Sequence, residues 1–401
     1  MKMQEGEKSK EHMDEIRIGV AGLGGRGRSW MRLLQRVPGY RIVALCDPIV
    51  ATHEPSLAVL ENSDGVATYT QYEDILADAN VEAIALTVRN PRQGLLAAQA
   101  LEAGKHVNQE VPAAHCIEDC WRIVVAAERS GKVYQLAEQT RYMGVMQAWH
   151  DMVAEGQLGR VTFVEGQYFH YYVSQFFWEK DTATFYGPLE VPAHPEAEPT
   201  WSALMPAIHY LPHELSPLLY VLDDRVVSVT GMSTQGPSYS HPVIPQPDMQ
   251  VCLMKTEKDA ILRLAASFAQ PQPPRDYHWY QIMGTQGSVE WRRSNREKPK
   301  MWLANGQMHD MAEVDWQFQR TDAPAEARGS GHGDADYYVH AAFRDAVNGV
   351  RPLEFDVYRA MDTAAPAILA AESIAQNSKL LEVPDFRPSA NRPAGAMPTD
   401  G

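Results

Sequence analysis

The sequence predicts an α/β protein: an N-terminal doubly wound parallel sheet, then an α/β domain with a large, mostly antiparallel open sheet. Three observations predict it. Residues 16–47 read as strand, glycine-rich turn, helix and second strand. Short apolar runs then alternate with helical segments to about residue 137, as parallel sheets require. Beyond Glu138 strands outnumber helices until the end of the chain.

Ile16, Ile18 and Val20 form an apolar run dense enough for a buried strand. It meets Gly22-Leu23-Gly24-Gly25-Arg26-Gly27, after which Trp30, Leu33 and Leu34 recur at helical spacing. A second apolar run, 42–45, leads to Asp47. Each glycine has a physical task in holding a dinucleotide. Gly22 permits a tight turn, Gly24 and Gly25 let backbone N–H groups approach a diphosphate, and Gly27 lets helix and strand pack closely. The diphosphate then sits on a positive helix N-terminus. Arg26 and Arg28 are candidate diphosphate contacts, with solvated side chains as the alternative for both. Asp47 follows at roughly the 20-residue spacing where a carboxylate accepts from the adenosine ribose. That carboxylate repels a 2′-phosphate, so the pattern predicts NAD in a Rossmann domain over 15–137.

The rhythm continues with a short helix over 72–76, a strand over 83–87 and a helix over 95–103 stopped by Gly104. A strand edge at 106–108, a helix over 117–130 ended by Gly131 and a strand over 133–136 follow. The second domain, 138–386, opens with a helix over 146–155. Strands are expected at 161–172, 226–232, 249–255, 260–266 and 280–284. Proline-rich stretches at 187–200, 236–247 and 270–274 read as loops long enough to wall a pocket. Two late helices, 336–348 and 357–374, precede a Pro/Ala/Gly-rich tail, 387–401, expected to be disordered. The polar residues 1–14 carry no apolar signal-peptide core and are likewise expected to be disordered.

The 401 residues carry a net charge of −15, which excludes nucleic acid and anionic membranes as expected partners. No apolar run reaches the ~18 residues of a membrane span. Four cysteines (Cys46, Cys116, Cys120 and Cys252) make no disulfide framework, and reduced thiols fit the cytoplasm. His115, Cys116 and Cys120 lack the paired spacing of a zinc site, so no metal is expected.

From Glu102 to Pro112 the chain reads EAGKHVNQEVP, and with the glycine-rich turn this resembles the glucose–fructose oxidoreductase/inositol dehydrogenase (Gfo/Idh/MocA) family. The resemblance implies substrate lying between the two domains and a second domain that mediates homo-oligomers, dimer or tetramer. Val111 stands where most of that family has lysine. In the family's Asp-x-x-x-His-x-x-Asp pattern, only His213 keeps its identity; His209 and Ser216 take the aspartate positions.

These departures resemble the family's NAD-dependent glycoside hydrolase branch, typified by α-N-acetylgalactosaminidase. The similar stretches are Glu110-Val111-Pro112-Ala113-Ala114, Glu138-Gln139-x-x-Tyr142, Tyr210-x-x-His213-x-x-x-Pro217, Gly331-His332-Gly333-Asp334 and Asp356-Val357-Tyr358. Gln139 replaces asparagine there, Glu214 and Ser216 replace glycines, and the branch's substrate-binding arginine has no counterpart near Trp201.

The resemblance implies chemistry at a sugar or glycoside. C3 is oxidised, the C2 proton is removed, the C1 substituent leaves, water adds and C3 is reduced again. It makes His213 the acid/base for the C3 hydroxyl, with Tyr210 beside it. Glu138 and Tyr168 become candidates for C2 deprotonation or leaving-group protonation. Histidine suits proton steps near neutrality. Glu110, Pro112, Asn90 and Gln139 would shape the cofactor site, the proline being often cis in this family. His170, His209 and His332 are weaker candidates, each as readily a packing or turn residue. Aromatics over 168–178 suit stacking on sugar faces as well as core packing. Rival expectations are a net sugar or polyol dehydrogenase and a non-catalytic NAD-binding regulator.

Overall fold

The computed structural model describes residues 15–273, 275–304, 306 and 308–398. The expected tail 1–14, the end of the other tail (399–401) and Pro274 of the third proline-rich loop lie outside them.

The first half alternates strand and helix as its apolar periodicity demands. β1 (Ile16–Ala21), α1 (Gly25–Arg36), β2 (Tyr40–Cys46), α2 (His53–Leu57), β3 (Ala67–Tyr69) and α3 (Tyr72–Ala77) come first. β4 (Ala83–Leu86), α4 (Gln93–Glu102), β5 (His106–Gln109), α5 (Ile117–Ser130) and β6 (Tyr134–Leu136) follow. The strands form one parallel sheet in the order β3-β2-β1-β4-β5-β6. The order reverses between β1 and β4, and a crevice opens at such a switch point beyond the strands' carboxyl ends. β1 shows why: it is buried along nearly its whole length, as a central parallel strand must be.

The second half brings α6 (Gly144–Ala154), β7 (Val161–Phe169), β8 (Phe177–Glu179), β9 (Thr184–Tyr186), β10 (Glu198–Pro199), α7 (Trp201–Leu204) and α8 (Pro212–Leu222). Next are β11 (Val226–Ser233), β12 (Gln250–Thr256), β13 (Ile261–Ser267), β14 (His278–Gly284), β15 (Gly287–Glu290), β16 (Lys300–Leu303) and β17 (Ala312–Glu313). α9 (Ala335–Val347), α10 (Val357–Ala375) and β18 (Leu381–Glu382) end the series. A nine-stranded sheet runs β17-β16-β15-β14-β7-β13-β12-β11-β18, antiparallel except for β7 against β13. The large, mostly antiparallel sheet expected from the alternating runs is therefore present.

Sequence patterning missed the short strands β15, β16 and β17, which are too brief to show periodicity. It also missed a small antiparallel sheet, β10-β8-β9, whose β10 lies in the proline-rich stretch 187–200. No helix among the described residues is long and apolar enough to cross a membrane.

Two late segments pack against the first half. Val339 and Phe343 of α9 share a buried cluster with Ile16, Ile18, Trp30 and Leu34. The residues after 387, expected from composition to be disordered, are held in place as far as 398. Arg392 is buried and donates to both carboxylate oxygens of Glu128 on α5, at 2.9 and 3.0 Å. Glu128 also accepts from the hydroxyl of Tyr358, at the start of α10. Composition could not reveal this anchor, because it depends on a carboxylate more than two hundred residues away.

Candidate active site

At the switch point the glycine turn forms a cradle that side chains would fill. Gly22 has φ +94°, and a Cβ there would meet the Thr87 and Val88 backbone at 2.8 Å. A Cβ on Gly27 would lie 2.0 Å from the Gly22 carbonyl oxygen, so helix and turn touch at that point. Gly24 and Gly25 face open space, and α1 begins with no side-chain cap and no acidic residue in its first turn. Its first amides are therefore left for an anion. Asp47, just past β2, accepts from Leu23 N–H at 2.8 Å and from Ile49 N–H at 2.9 Å, which ties it to the turn. These residues fit a dinucleotide.

Arg26 goes elsewhere. Its guanidinium bridges Glu110 and Asp336, the latter at 3.0 Å, and Asp336 also meets His332 Nδ1 at 2.7 Å. Burial alone would raise the Asp336 carboxyl, but Arg26 and His332 outweigh it and hold it well below the usual range. The brace joins the glycine turn, the end of β5 and α9. Arg28 donates to the Leu23 carbonyl at 2.7 Å. Asn90 accepts from Arg92 N–H at 2.8 Å in the turn before α4. Pro112 follows a cis peptide bond, and the Gln93 amide donates to the carbonyls of Glu110 and Pro112. Gln139 is buried, its Oε1 without a hydrogen-bond partner among the described residues.

The chemical groups converge where α8 lies over β7. His213, in the first turn of α8, places Nδ1 2.9 Å from Glu138 Oε2, an ion-pair contact outside hydrogen-bond alignment. The other Glu138 oxygen accepts from Thr140 Oγ1 at 2.7 Å and from its N–H at 3.0 Å. Burial pushes the Glu138 carboxyl up, but His213 and Thr140 overcome it and hold it below the usual carboxylate range. Tyr168 packs on His213 with 5.0 Å between ring centroids, and its hydroxyl lies 3.0 Å from His170 Nδ1. Burial lowers His170 to about 4, so the ring is neutral at pH 7, and in the tautomer protonated at Nε2 its Nδ1 accepts a hydrogen bond from the Tyr168 hydroxyl. Tyr210 stacks on Tyr168 and lies 5.7 Å from the His213 ring. Its hydroxyl, pushed up to about 12 by burial, has no hydrogen-bond partner among the described residues. His213, Tyr210, Glu138 and Tyr168 thus form one cluster.

His209 faces away into a pair of its own. Its Nδ1 lies 3.1 Å from His115 Nδ1, and Trp201 Nε1 donates to His115 Nε2 at 3.1 Å. Burial lowers His209 to about 3 and His115 to about 4, so both rings are neutral spacers between the loop after Pro112 and the turn before α8.

Glu214 and His278 escaped sequence reading. Glu214 is fully buried beside Gly166, where any side chain would collide with Leu264 and crowd Glu214 itself. Its Oε1 lies 2.7 Å from His278 Nδ1. Burial, reinforced by the Glu138 anion, drives the Glu214 carboxyl well above the usual range, while burial and His213 drive His278 down. Burial thus holds the pair as a neutral carboxyl against a neutral imidazole. A carboxyl raised on folding binds more protons folded than unfolded, so its contribution to stability falls as pH rises above about 4.3. Glu214→Gln keeps a donor and removes the titration. Relative to the variant, wild-type protein should lose stability as pH rises above about 4.3, by no more than about 1.4 kcal/mol per pH unit. Urea unfolding across that range checks it, and parallel stability curves would refute it. The sequence signal was slight: Glu214 merely stands where the resembling motif has glycine.

Residues 16–138 match the oxidoreductase family model for an NAD-binding Rossmann fold (GFO_IDH_MocA), and residues 146–290 match the GFO/IDH/MocA C-terminal domain. Residues 225–391 match the C-terminal domain of glycosyl hydrolase 109. A glycosyl hydrolase family 109 protein of Streptomyces niveus is 28% identical, covering 94% of this chain and 78% of its own. One from Saccharopolyspora erythraea is 25% identical, covering 94% and 84%. Levoglucosan dehydrogenase, solved with NADH and levoglucosan, shares the fold with TM-score 0.71 at 16% identity, covering 92% of this chain and 100% of that one.

Proposed function

Since the chain belongs to the Gfo/Idh/MocA oxidoreductase family, we propose that this NAD-dependent, sugar-active enzyme cleaves glycosides without net oxidation. The observation that carries the reading is two acid–base couples at one site, Glu138–His213 and Tyr168–His170, joined by the Tyr168–His213 ring contact. Oxidising an alcohol needs one proton acceptor; eliminating across C1 and C2 needs another for the C2 proton. Val111, in place of the lysine of the resembling dehydrogenases, supports the same reading.

Gly22, Gly24, Gly25 and Gly27 would hold the cofactor's diphosphate at α1, and Asp47 its adenosine ribose. Asn90, Glu110, Pro112 and Gln139 would shape the nicotinamide end, with Arg26 bracing Glu110. When bound, NAD would supply reversible hydride chemistry at C3. The chain's own residues handle the protons. His213 takes the C3 hydroxyl proton through Nε2, and Glu138 at Nδ1 stabilises the imidazolium, as a carboxylate behind a histidine does. The C3 ketone acidifies the C2 proton, which Tyr168 removes while its phenolic proton passes to His170. The C1–O bond breaks, a C1=C2 double bond forms, and the aglycone leaves with that proton. Water then gives OH to C1 and a proton to C2 through the same couple, and His213 returns the C3 proton. The sum is hydrolysis.

Incubating the purified protein with α- and β-aryl glycosides in D₂O tests this. Aglycone release with deuterium at C2 and no accumulated NADH is the expected result. Stoichiometric NADH from a free sugar, without aglycone release, would overturn it in favour of a net dehydrogenase.

A further inference from the structure

The cleft contains a cation that the mechanism above does not use. Arg89 lies three residues beyond β4, at the carboxyl edge of the parallel sheet, and its guanidinium reaches the wall built by the second half of the chain. Its Nη1 donates to the Tyr172 hydroxyl and to Ser202 Oγ, both at 3.1 Å. The guanidinium carbon lies 5.1 Å from the Tyr172 ring centroid and 5.7 Å from that of Tyr210, and Tyr210 in turn packs on His213. The cation is therefore one aromatic ring away from the acid–base cluster.

Arg89 has no carboxylate within ion-pair distance among the described residues, whereas the nearby acids are engaged. Glu110 and Asp336 hold Arg26, and Glu138 holds His213. The two Nη1 protons go to Tyr172 and Ser202. No described group accepts from Nε or Nη2, and neither atom is among the enclosed polar atoms without a partner, so this edge is reached by solvent. An Nε/Nη2 edge presents parallel N–H donors matched to the two oxygens of a carboxylate. A half-buried guanidinium with that edge unused is built to receive an anion.

We infer that Arg89 is a specificity determinant and that the sugar carries a carboxylate, as a glycosiduronic acid does, at a carbon remote from C3. This rests on the reading of the cleft as the sugar site, but not on the route of cleavage. The cofactor's diphosphate is the rival anion. Arg89 contacts Tyr172, Ser202 and Tyr210 rather than the glycine turn, which favours the substrate.

The test is calorimetric binding of D-glucuronate and D-galacturonate against D-glucose and D-galactose to the NAD-loaded protein, wild type and Arg89→Met, with NAD content measured in both. Wild-type protein is expected to favour an acid sugar over its neutral counterpart by roughly 10- to 100-fold, the scale of hydrogen bonds to a charged group. Arg89→Met should lose that preference and keep its NAD. Equal binding of neutral and acid sugars by wild type would overturn the inference even if the variant failed to fold. A preference surviving in Arg89→Met, or loss of NAD from it, would also overturn it. Binding needs no turnover, so selective binding without aglycone release would count against the cleavage route alone.

Discussion

Replacing His213 with alanine is expected to slow aglycone release by about a thousandfold, within the range general acid–base catalysis contributes. The imidazole is the group beside Tyr210 and Tyr168 that is backed by a carboxylate, so no neighbour can take over the C3 hydroxyl proton. NAD should stay bound, because none of the glycine-turn residues contacts His213. Alanine leaves the fully buried Glu138 carboxylate without the imidazole 2.9 Å from it, which costs stability. His213→Gln is therefore measured alongside, since its amide can donate to Glu138 while being unable to act as a base. Turnover, NAD content and circular dichroism are read together. Near-wild-type turnover in either folded variant would remove His213 from the mechanism.

Tyr168→Phe should split the reaction. Losing the hydroxyl that donates to His170 removes the C2 base but leaves Glu138–His213 intact. Deuterium incorporation at C2 and aglycone release should both fall by about a hundredfold or more. Oxidation at C3 should persist, so NADH absorbance is expected to rise on adding glycoside and to stay high. The ring is retained in phenylalanine, so packing on His213, Tyr210 and His278 changes little. If C2 exchange continued at the wild-type rate, Tyr168 would be only part of the pocket wall. Equal loss of both partial reactions would show that the two couples act as one unit, contrary to the separation proposed.

Much of this was legible in the residues. The glycine turn, Asp47 and the βα rhythm specify the parallel sheet because each answers a local backbone or burial requirement that a short stretch can meet. His213 and Glu138 were visible through motif resemblance, although they are distant in the chain. Arg26 beside the glycine turn suits a diphosphate contact on local grounds, yet its partners Glu110 and Asp336 come from two other segments. The partners of Arg89, Tyr172 and Ser202, are likewise remote, so nothing local to residue 89 marked it.

What the sequence determined by itself was therefore the class of fold, an NAD-binding glycine turn and the residue types that meet at His213, Glu138, Tyr168 and Tyr210. Each rests on periodicity, on glycine's missing Cβ, or on chemistry carried by a short motif. Only the tertiary structure decided protonation and pairing: Glu138 as an anion against His213, Glu214 as a neutral acid against His278, Tyr168 donating to His170, and Arg89 left with an open edge. The physical reason is that a buried group's charge is set by desolvation and by neighbours within a few ångströms. Those neighbours are chosen by how α8, β7 and β14 pack, not by adjacency along the chain.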